Sequence, residues 1–153
     1  MGNFFRGILL LLIFAVIALQ FFKPENVNPV EDRTKLITLK LQVPENVQRK
    51  LETSCYDCHS YRTDWPWYSK ISPIVYLIKN DVEEGREHLN FSLWADYDKQ
   101  EKIDLLDEIE KTVKKGEMPM TIYTLLHPSA RLSDEEAELI TEWAKDSKRI
   151  LLK

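Results

Sequence analysis

Residues 55–59 of this 153-residue chain have the sequence Cys-Tyr-Asp-Cys-His, and they include both of its cysteines. The segment before them is typical of a helix: Pro44 suits a first helical position, and Val47 and Leu51 fall on one face that leads to Cys55. We therefore expect two thiols, three residues apart, at the end of a helical turn with an imidazole directly after them. This spacing decides how the rest of the chain is interpreted.

The C-x-x-C-H spacing is the attachment signature of a c-type haem. Thiols at this separation form thioethers with the two vinyl groups of a porphyrin, here from Cys55 and Cys58. His59 then lies under the iron and donates an imidazole nitrogen to it. The motif predicts one covalently bound haem c with His59 as the proximal ligand of the iron.

Three other uses of the cysteines stay open at this point. A thioredoxin-like redox pair begins a helix in a βαβ unit, and the chain shows no such alternation. A zinc site would combine Cys55 and Cys58 with His88 and His127, but these histidines lie much further apart than the H-x₃₋₅-H of zinc fingers. A disulfide between Cys55 and Cys58 would close only a very small loop.

A methionine-containing loop is expected to supply the sixth iron ligand. The segment Gly116-Glu117-Met118-Pro119-Met120 follows a predicted helix. A thioether on such a loop approaches the iron from the face opposite His59, and Met/His ligation raises the reduction potential. Met118 is the expected distal ligand. The alternatives are Met120, His88, His127 and an open position.

Capping residues and apolar periodicity predict that the domain is mostly α-helical. Asp98 with Glu101, and Ser133 with Glu136, have the spacing of capping boxes at the starts of two helices. The first of these helices is expected to end at Gly116. Their expected inward faces are Ile103, Leu106, Ile109 and Val113 in the first helix, and Ala137, Ile140, Trp143 and Ala144 in the second.

Two further segments carry weaker patterns. Ser72-Pro73 predicts an N-cap and first helical residue, followed by an inward face of Ile74, Leu77, Ile78 and Val82. Residues 37–43 alternate apolar and polar side chains, which is the pattern of a half-buried strand. No second strand pattern is available to pair with it, so we expect an extended segment that lies on the domain.

The first 22 residues are expected to form a transmembrane anchor. Residues 4–22 include only one charge, Arg6, and these 19 residues are about as many as a membrane-spanning helix needs. The bulky Phe21 and Phe22 stand where a signal-peptide cleavage site needs small residues, which favours an uncleaved anchor over a secretory signal. Arg6 lies near the start of the run, whereas Lys23 after it is followed by Glu25; with the more basic side inside, the following domain lies outside the cytoplasm, in the periplasm.

Composition sets the remaining limits. The chain is 44% hydrophobic and 30% charged, which excludes a disordered protein, and its length fits one domain. Its net charge of −4 argues against nucleic acid as a partner. The expected organisation is an anchor (1–22), a tether with an extended segment (23–43) and a haem-binding domain (44–153).

Five stretches of the sequence resemble the bacterial haem-binding domain family with a single CxxCH motif. They are Cys55–His59, Trp65–Tyr68, Gly85–Ser92, Gly116–Pro119 and Tyr123–Pro128. This family is similar in layout to the class I cytochromes c. The resemblance implies a small all-α, cytochrome c-like fold, with His59 as proximal ligand, Met118 as distal ligand, and Trp143 against the N-terminal helix of the domain.

Aromatic residues follow the haem motif closely. Trp65, Pro66 and Trp67 are expected to surround the porphyrin, where they would exclude water and raise its potential. A backbone carbonyl near Pro66 is a candidate acceptor for the second ring nitrogen of His59. Ordinary core packing of the two tryptophans is the alternative.

Together these observations predict a membrane-tethered, mono-haem, c-type cytochrome-like protein that transfers single electrons. Its expected partner is a redox protein or a membrane electron-transport complex, and the side chains are expected to carry out no substrate chemistry, so it is not expected to be an enzyme. The alternatives are a haem-based gas or redox sensor and a small haem peroxidase. Both alternatives need an open or labile sixth position, and a peroxidase also needs an acid–base group such as His88 or His127.

Overall fold

The computed structural model describes residues 2–153, which contain α-helices, 3₁₀ turns and no β-strand. The α-helices within this range are α1 (Gly2–Leu19), α2 (Ile37–Lys40), α3 (Glu45–Ser54), α4 (Tyr56–His59), α5 (Ile74–His88), α6 (Lys99–Lys114), α7 (Thr121–Leu126) and α8 (Asp134–Leu151). The 3₁₀ turns are Arg33–Lys35, Trp67–Lys70, Phe91–Asp96 and Pro128–Ala130. The predicted all-α fold class is confirmed.

The hydrophobic core lies where α6 and α8 pack along each other and α3 packs against α8. Both predicted capping boxes are present: Asp98 Oδ1 accepts from the Glu101 amide at 2.8 Å, and Ser133 Oγ accepts from the Glu136 amide at 3.2 Å. Each box satisfies backbone donors that the first turn of a helix leaves free. The fully or nearly fully buried core residues on these helices are Val47, Leu51, Leu105, Leu106, Ile109, Val113, Ile140, Trp143 and Ala144.

The chain leaves α6 through a backbone conformation that favours glycine. Gly116 has a φ of +69°, in the left-handed region that residues with a Cβ rarely adopt. The amides of Glu117 and Met118 both donate to the carbonyl oxygen of Thr112, at 2.9 and 3.3 Å. This helix end therefore determines the path of residues 116–120, which we call the Met118 loop.

The expectation of an extended segment over residues 37–43 is wrong in its first half. Residues 37–40 form the helical turn α2, and only Ile37 is buried in the core, whereas Leu39 is 66% exposed. No neighbouring strand among the described residues offers backbone partners. The segment therefore satisfies its hydrogen bonds locally, for example from the Leu41 amide to the Ile37 carbonyl at 2.8 Å.

The predicted start and inward face of α5 also need correction. The helix begins at Ile74, and the Ser72 backbone is bonded to the Gln20 side chain, whose amide group both donates to and accepts from it. Val75 and Val82 are the buried positions, while Ile74 and Leu77 are exposed. Val82 is therefore buried as predicted, whereas Ile74, Leu77 and Ile78 line a surface groove instead of the core.

The N-terminal segment lies on the domain rather than apart from it. The side chains of Asn26 and Asn28 donate to the carbonyls of Ser69 and Thr63, both at 2.8 Å. Within residues 2–153, no helix meets the length and apolarity needed to cross a membrane. The apolar side chains of α1 are nevertheless largely exposed.

Candidate functional site

The Cys-Tyr-Asp-Cys-His motif lies where α3 ends and α4 begins. Cys55 lies between the two helices, and its carbonyl accepts from the amides of Cys58 and His59 at 3.2 and 2.9 Å. Both cysteines are free thiols and are partly buried. Burial raises the pKa of Cys55 to about 12 and that of Cys58 to about 11, so both are neutral thiols at pH 7.

The ring of His59 is oriented by two backbone carbonyls. Its Nδ1 lies 2.9 Å from the Gly85 carbonyl oxygen and 3.1 Å from that of Leu89. Because a carbonyl oxygen only accepts hydrogen bonds, Nδ1 carries the proton and the lone pair is on Nε2. Burial lowers the pKa of the imidazole, against the opposing effect of these hydrogen bonds. The neutral ring is the form that ligates a metal.

A glycine allows α5 to approach the motif this closely. A Cβ on Gly85 would lie 2.8 Å from the Cys58 carbonyl oxygen and 3.1 Å from the Cys58 Cβ. Only a residue without a side chain fits this gap without displacement of the backbone. Gly85 thereby brings its own carbonyl within hydrogen-bonding distance of His59.

An apolar cleft opens beside the imidazole and the thiols. Two adjoining cavities, of about 200 and 190 Å³, share Cys55, His59, His88 and Met118 in their walls, and together we call them the His59 cleft. The larger cavity is also lined by core side chains, which are Leu51, Leu89, Phe91, Leu105, Ile109, Val113 and Ile140.

This donor set fits a covalently held haem. Two free thiols, an imidazole whose Nδ1 is already hydrogen-bonded, and a thioether line one cleft whose remaining lining is mainly apolar. In contrast, no group of three or more His, Cys, Asp or Glu residues among residues 2–153 is arranged to hold a metal ion.

The candidate distal ligands differ in whether they line the His59 cleft and in whether they already have a hydrogen-bonding partner. Met118 lines both cavities of the His59 cleft, whereas Met120 lines only the smaller one. His88 also lines both cavities, but its Nε2 is paired with Glu108 at 2.8 Å. His127 lies outside the cleft. Its Nε2 is 3.1 Å from the Tyr68 hydroxyl, and its Nδ1 is 3.2 Å from a backbone carbonyl.

The aromatic run after the motif does not line the His59 cleft. Trp65 lies under the N-terminal segment, where its Nε1 donates to Asn28 Oδ1 at 3.1 Å. Trp67 is 75% exposed, and Pro66 lines a different surface groove. The partner of His59 is likewise on α5 rather than near Pro66, because Gly85 allows the end of α5 to lie directly against α4.

Sequence reasoning missed a bond that joins α7, the helix after the Met118 loop, to the motif. Asp57, between the two cysteines, accepts from the Tyr123 hydroxyl at 2.7 Å. Burial, together with this hydrogen bond and the Asp57 charge, raises the pKa of Tyr123, so the hydroxyl stays protonated. The sequence does mark both residues, because Gly85 is a glycine inside a predicted helix and Asp57 is a carboxylate inside the motif. Their partners are set by tertiary packing and have no local signal.

Comparisons with known proteins independently indicate haem binding. A family described as the haem-binding domain matches residues 14–146. The chain is 32% identical over 97 residues to cytochrome c peroxidase Ccp of Escherichia coli (strain K12), a match that covers 60% of this chain and 20% of that protein. The chain therefore aligns with only about a fifth of the length of this curated relative. No solved structure matches the chain.

Proposed function

The chain belongs to the haem-binding domain family, and from this premise we propose that it is a membrane-tethered, mono-haem, c-type cytochrome-like protein that transfers single electrons. The observation that carries the proposal is the shared placement of Cys55, His59 and Met118 in one apolar cleft, with Cys58 beside them. Bound haem supplies one-electron exchange between ferric and ferrous iron.

Each residue of the site has a separate role in this proposal. Cys55 and Cys58 provide the thiols for the two thioether bonds, and His59 presents Nε2 to the iron because Nδ1 is held by α5. Met118, on the loop after α6, provides a thioether within the same cleft. The apolar side chains of α3, α6 and α8 exclude water, which favours the less charged ferrous state and raises the potential.

The membrane tether in this proposal is α1. Its apolar side chains are unusually exposed for a protein in water: Leu11 is 69% exposed and Phe14 is 71% exposed. Burial of this surface in a bilayer removes the exposure, and the charge pattern around the helix favours a domain on the outer, periplasmic side of a bacterial cytoplasmic membrane. In that location the protein would pass electrons to a redox protein or a membrane electron-transport complex, and would not be an enzyme.

The first test is covalent attachment. The full chain is produced with a haem-attachment system, purified in detergent and run on a denaturing gel stained for haem. We expect haem to remain with the native chain and with a Thr53→Ala control on the exposed side of α3. It should be lost from the double variant Cys55→Ser, Cys58→Ser. A native chain without covalent haem under these conditions would overturn the proposal.

The same preparations test the distal ligand. Ferric iron ligated by a methionine sulfur has a weak far-red absorption band. We expect this band in the native protein, its loss in Met118→Ala and its retention in Met120→Ala, which removes the rival thioether. Loss of the band in Met120→Ala alone would transfer the role to Met120.

A haem peroxidase is the second candidate function. It is favoured by the name of the Escherichia coli relative and by the His88–Glu108 pair, an imidazole and a carboxylate that both line the larger cavity. A peroxidase must keep the sixth position open and use an acid–base group. Rapid oxidation of the reduced protein by hydrogen peroxide, slowed in His88→Ala, would favour this function over electron transfer alone.

A further inference from the structure

A second concave surface adjoins the His59 cleft. It is a groove of about 380 Å³ between α5 and α7, and we call it the α5–α7 groove. Its walls include Ile74, Leu77, Ile122 and Leu126, and Leu77 and Ile122 are more than 60% exposed. Exposed apolar side chains that line one contiguous groove indicate an interaction site rather than ordinary surface variation.

The α5–α7 groove lies directly beside the proposed cofactor. Cys58, Met120 and Tyr123 line both the groove and the smaller cavity of the His59 cleft. A molecule in the groove is therefore separated from a group in the cleft by single side chains. Such a short separation is what electron exchange between two proteins requires.

The charge of the groove is of one sign. Three aspartates, Asp57, Asp64 and Asp81, line it, whereas no lysine or arginine of residues 2–153 does so. Opposite charges around an apolar centre steer a partner and fix its orientation. The matching face would therefore have lysine or arginine side chains around an apolar centre.

Two other occupants fit the groove less well. In a symmetric dimer, a second copy of the chain would place aspartates against aspartates, because both copies would present the same patch. An anionic lipid surface would meet the same three carboxylates, and lipid surfaces of this kind attract lysine and arginine. A basic protein surface is the occupant that both the apolar lining and the charge favour.

We propose that the α5–α7 groove is the docking surface for a protein redox partner with a basic rim and an apolar centre. This inference rests on the proposed electron-transfer function and specifies where the partner binds. One electron leaves the ferrous iron of this protein, which becomes ferric, and reduces one ferric centre of the partner. No proton is transferred, and no covalent bond forms or breaks in this step.

Direct binding is the first measurement. The haem-loaded full chain in detergent is titrated by calorimetry with a commercial, strongly basic soluble cytochrome c, and both proteins are ferric so that no electron is transferred. Raising the ionic strength from about 0.01 M to about 0.15 M shortens the Debye length from about 30 Å to about 8 Å. We expect measurable binding at the lower ionic strength and substantial loss at the higher.

The variants separate the groove from the rest of the surface. Asp64→Lys reverses an exposed charge in the groove, and Glu138→Lys makes the same change on an exposed position of α8. We expect Asp64→Lys to weaken binding at low ionic strength about tenfold and Glu138→Lys to change it by less than about twofold. Leu77→Gln should weaken binding at both ionic strengths, whereas Ile150→Gln, at a similarly exposed position on α8, should not.

Electron transfer provides the second measurement. The reduced protein is mixed with the ferric basic cytochrome c in a stopped-flow instrument, and the rate constants should follow the same order as the affinities. Equal binding and equal rates in the groove variants and their α8 controls would overturn the inference. So would a dimer of the native chain that Leu77→Gln dissociates in light scattering, since this would assign the groove to a second copy.

The gel stain for haem distinguishes the two levels of failure. If all variants retain covalent haem but bind the probe equally, the docking surface is wrong and the proposed function stands. If the native chain holds no haem, the proposed function itself fails. Binding of the probe is measured independently of electron transfer, so it also reports on a protein whose haem is inert.

Discussion

At the scale of single residues, the site depends on where the hydrogen bonds of His59 go. Its Nδ1 is bonded to carbonyls at the C-terminal end of α5, 26 and 30 positions further along the chain. The Gly85 carbonyl also accepts from the Leu89 amide at 3.0 Å, and both carbonyls lie at the negative end of the helix dipole. They therefore accept the Nδ1 proton well and increase the basicity of Nε2.

The sequence predicted a role for His59 but did not predict the acceptors of its Nδ1 proton. The C-x-x-C-H spacing is local and depends only on five consecutive residues. The acceptors come from a helix whose position is set by the absence of a side chain at Gly85, and no local pattern specifies which helix end packs there. For the same reason the carbonyl expected near Pro66 was the wrong choice.

We expect Gly85→Ala to destabilise the protein. Inside a helix, alanine is normally favoured over glycine by about 1 kcal/mol, but here its Cβ would lie 2.8 Å from the backbone oxygen of Cys58. Since a backbone atom cannot rotate away, α5 must shift off α4 and weaken the bond to His59. The net loss should be about 1–3 kcal/mol in the free energy of unfolding, measured by urea denaturation of the haem-loaded chain.

Asn80→Ala is the matched control for this change. Asn80 lies on an exposed position of the same helix, so the substitution to alanine affects only helix propensity. It should leave stability unchanged or slightly increased. If the Gly85→Ala protein is as stable as this control, the close approach of α5 to Cys58 does not require a glycine at position 85.

At the scale of elements, local chemistry predicted α6 and α8 well. Their capping boxes, apolar stripes and the stop at Gly116 are all present. The predictions failed where a distant segment competed for the same groups. Gln20 bonds the Ser72 backbone, which shifts the start of α5, and the missing partner strand leaves residues 37–40 helical.

The end of α6 also positions the proposed distal ligand, and it gives a prediction at this scale. Gly116→Ala meets no steric obstacle, since no atom lies within 4 Å of the position that its Cβ would occupy, but it must adopt a φ of +69°. That conformation costs about 1–2 kcal/mol for a residue with a Cβ. We expect this loss in urea denaturation, together with a weaker far-red Met–iron band.

Gly116→Asn is the informative comparison, because asparagine tolerates the left-handed region better than alanine does. It should retain most of the stability and most of the far-red band. Equal effects of the two substitutions would mean that the conformation at Gly116 does not control the Met118 loop.

At the scale of the whole molecule, the N-terminal segment and the haem-binding part form a connected structure. The side chains of residues 20–31 form hydrogen bonds with the domain at several points. One of their partners, Arg86, also donates to the carbonyl of Ser60, next to the motif, at 2.8 Å. A polar, proline-containing sequence predicted only a tether. Its attachment arises from individual side chains such as Asn28, which no periodicity reveals.

Asn28 is the residue on which this attachment most depends. Its Oδ1 accepts from Trp65 Nε1 at 3.1 Å and from Arg86 Nη2 at 2.9 Å, and its Nδ2 donates to the Thr63 carbonyl. Asn28→Ala leaves the indole N–H of Trp65 without this acceptor and removes one partner of Arg86. Such losses cost about 1–3 kcal/mol in partly buried places.

We therefore expect Asn28→Ala to open the N-terminal segment while the rest of the domain stays folded. Trypsin should cut after Arg33 and Lys35 roughly tenfold faster than in the native chain, because local opening that is easier by about 1.4 kcal/mol raises the open population tenfold. Asn80→Ala, which removes an exposed amide from α5, should leave the cleavage rate unchanged. If both variants are cut at the native rate, the segment is held by its remaining bonds and Asn28 is not the critical one. If Asn28→Ala instead exposes cleavage sites throughout the domain, the segment is part of the cooperative fold rather than a separable tether.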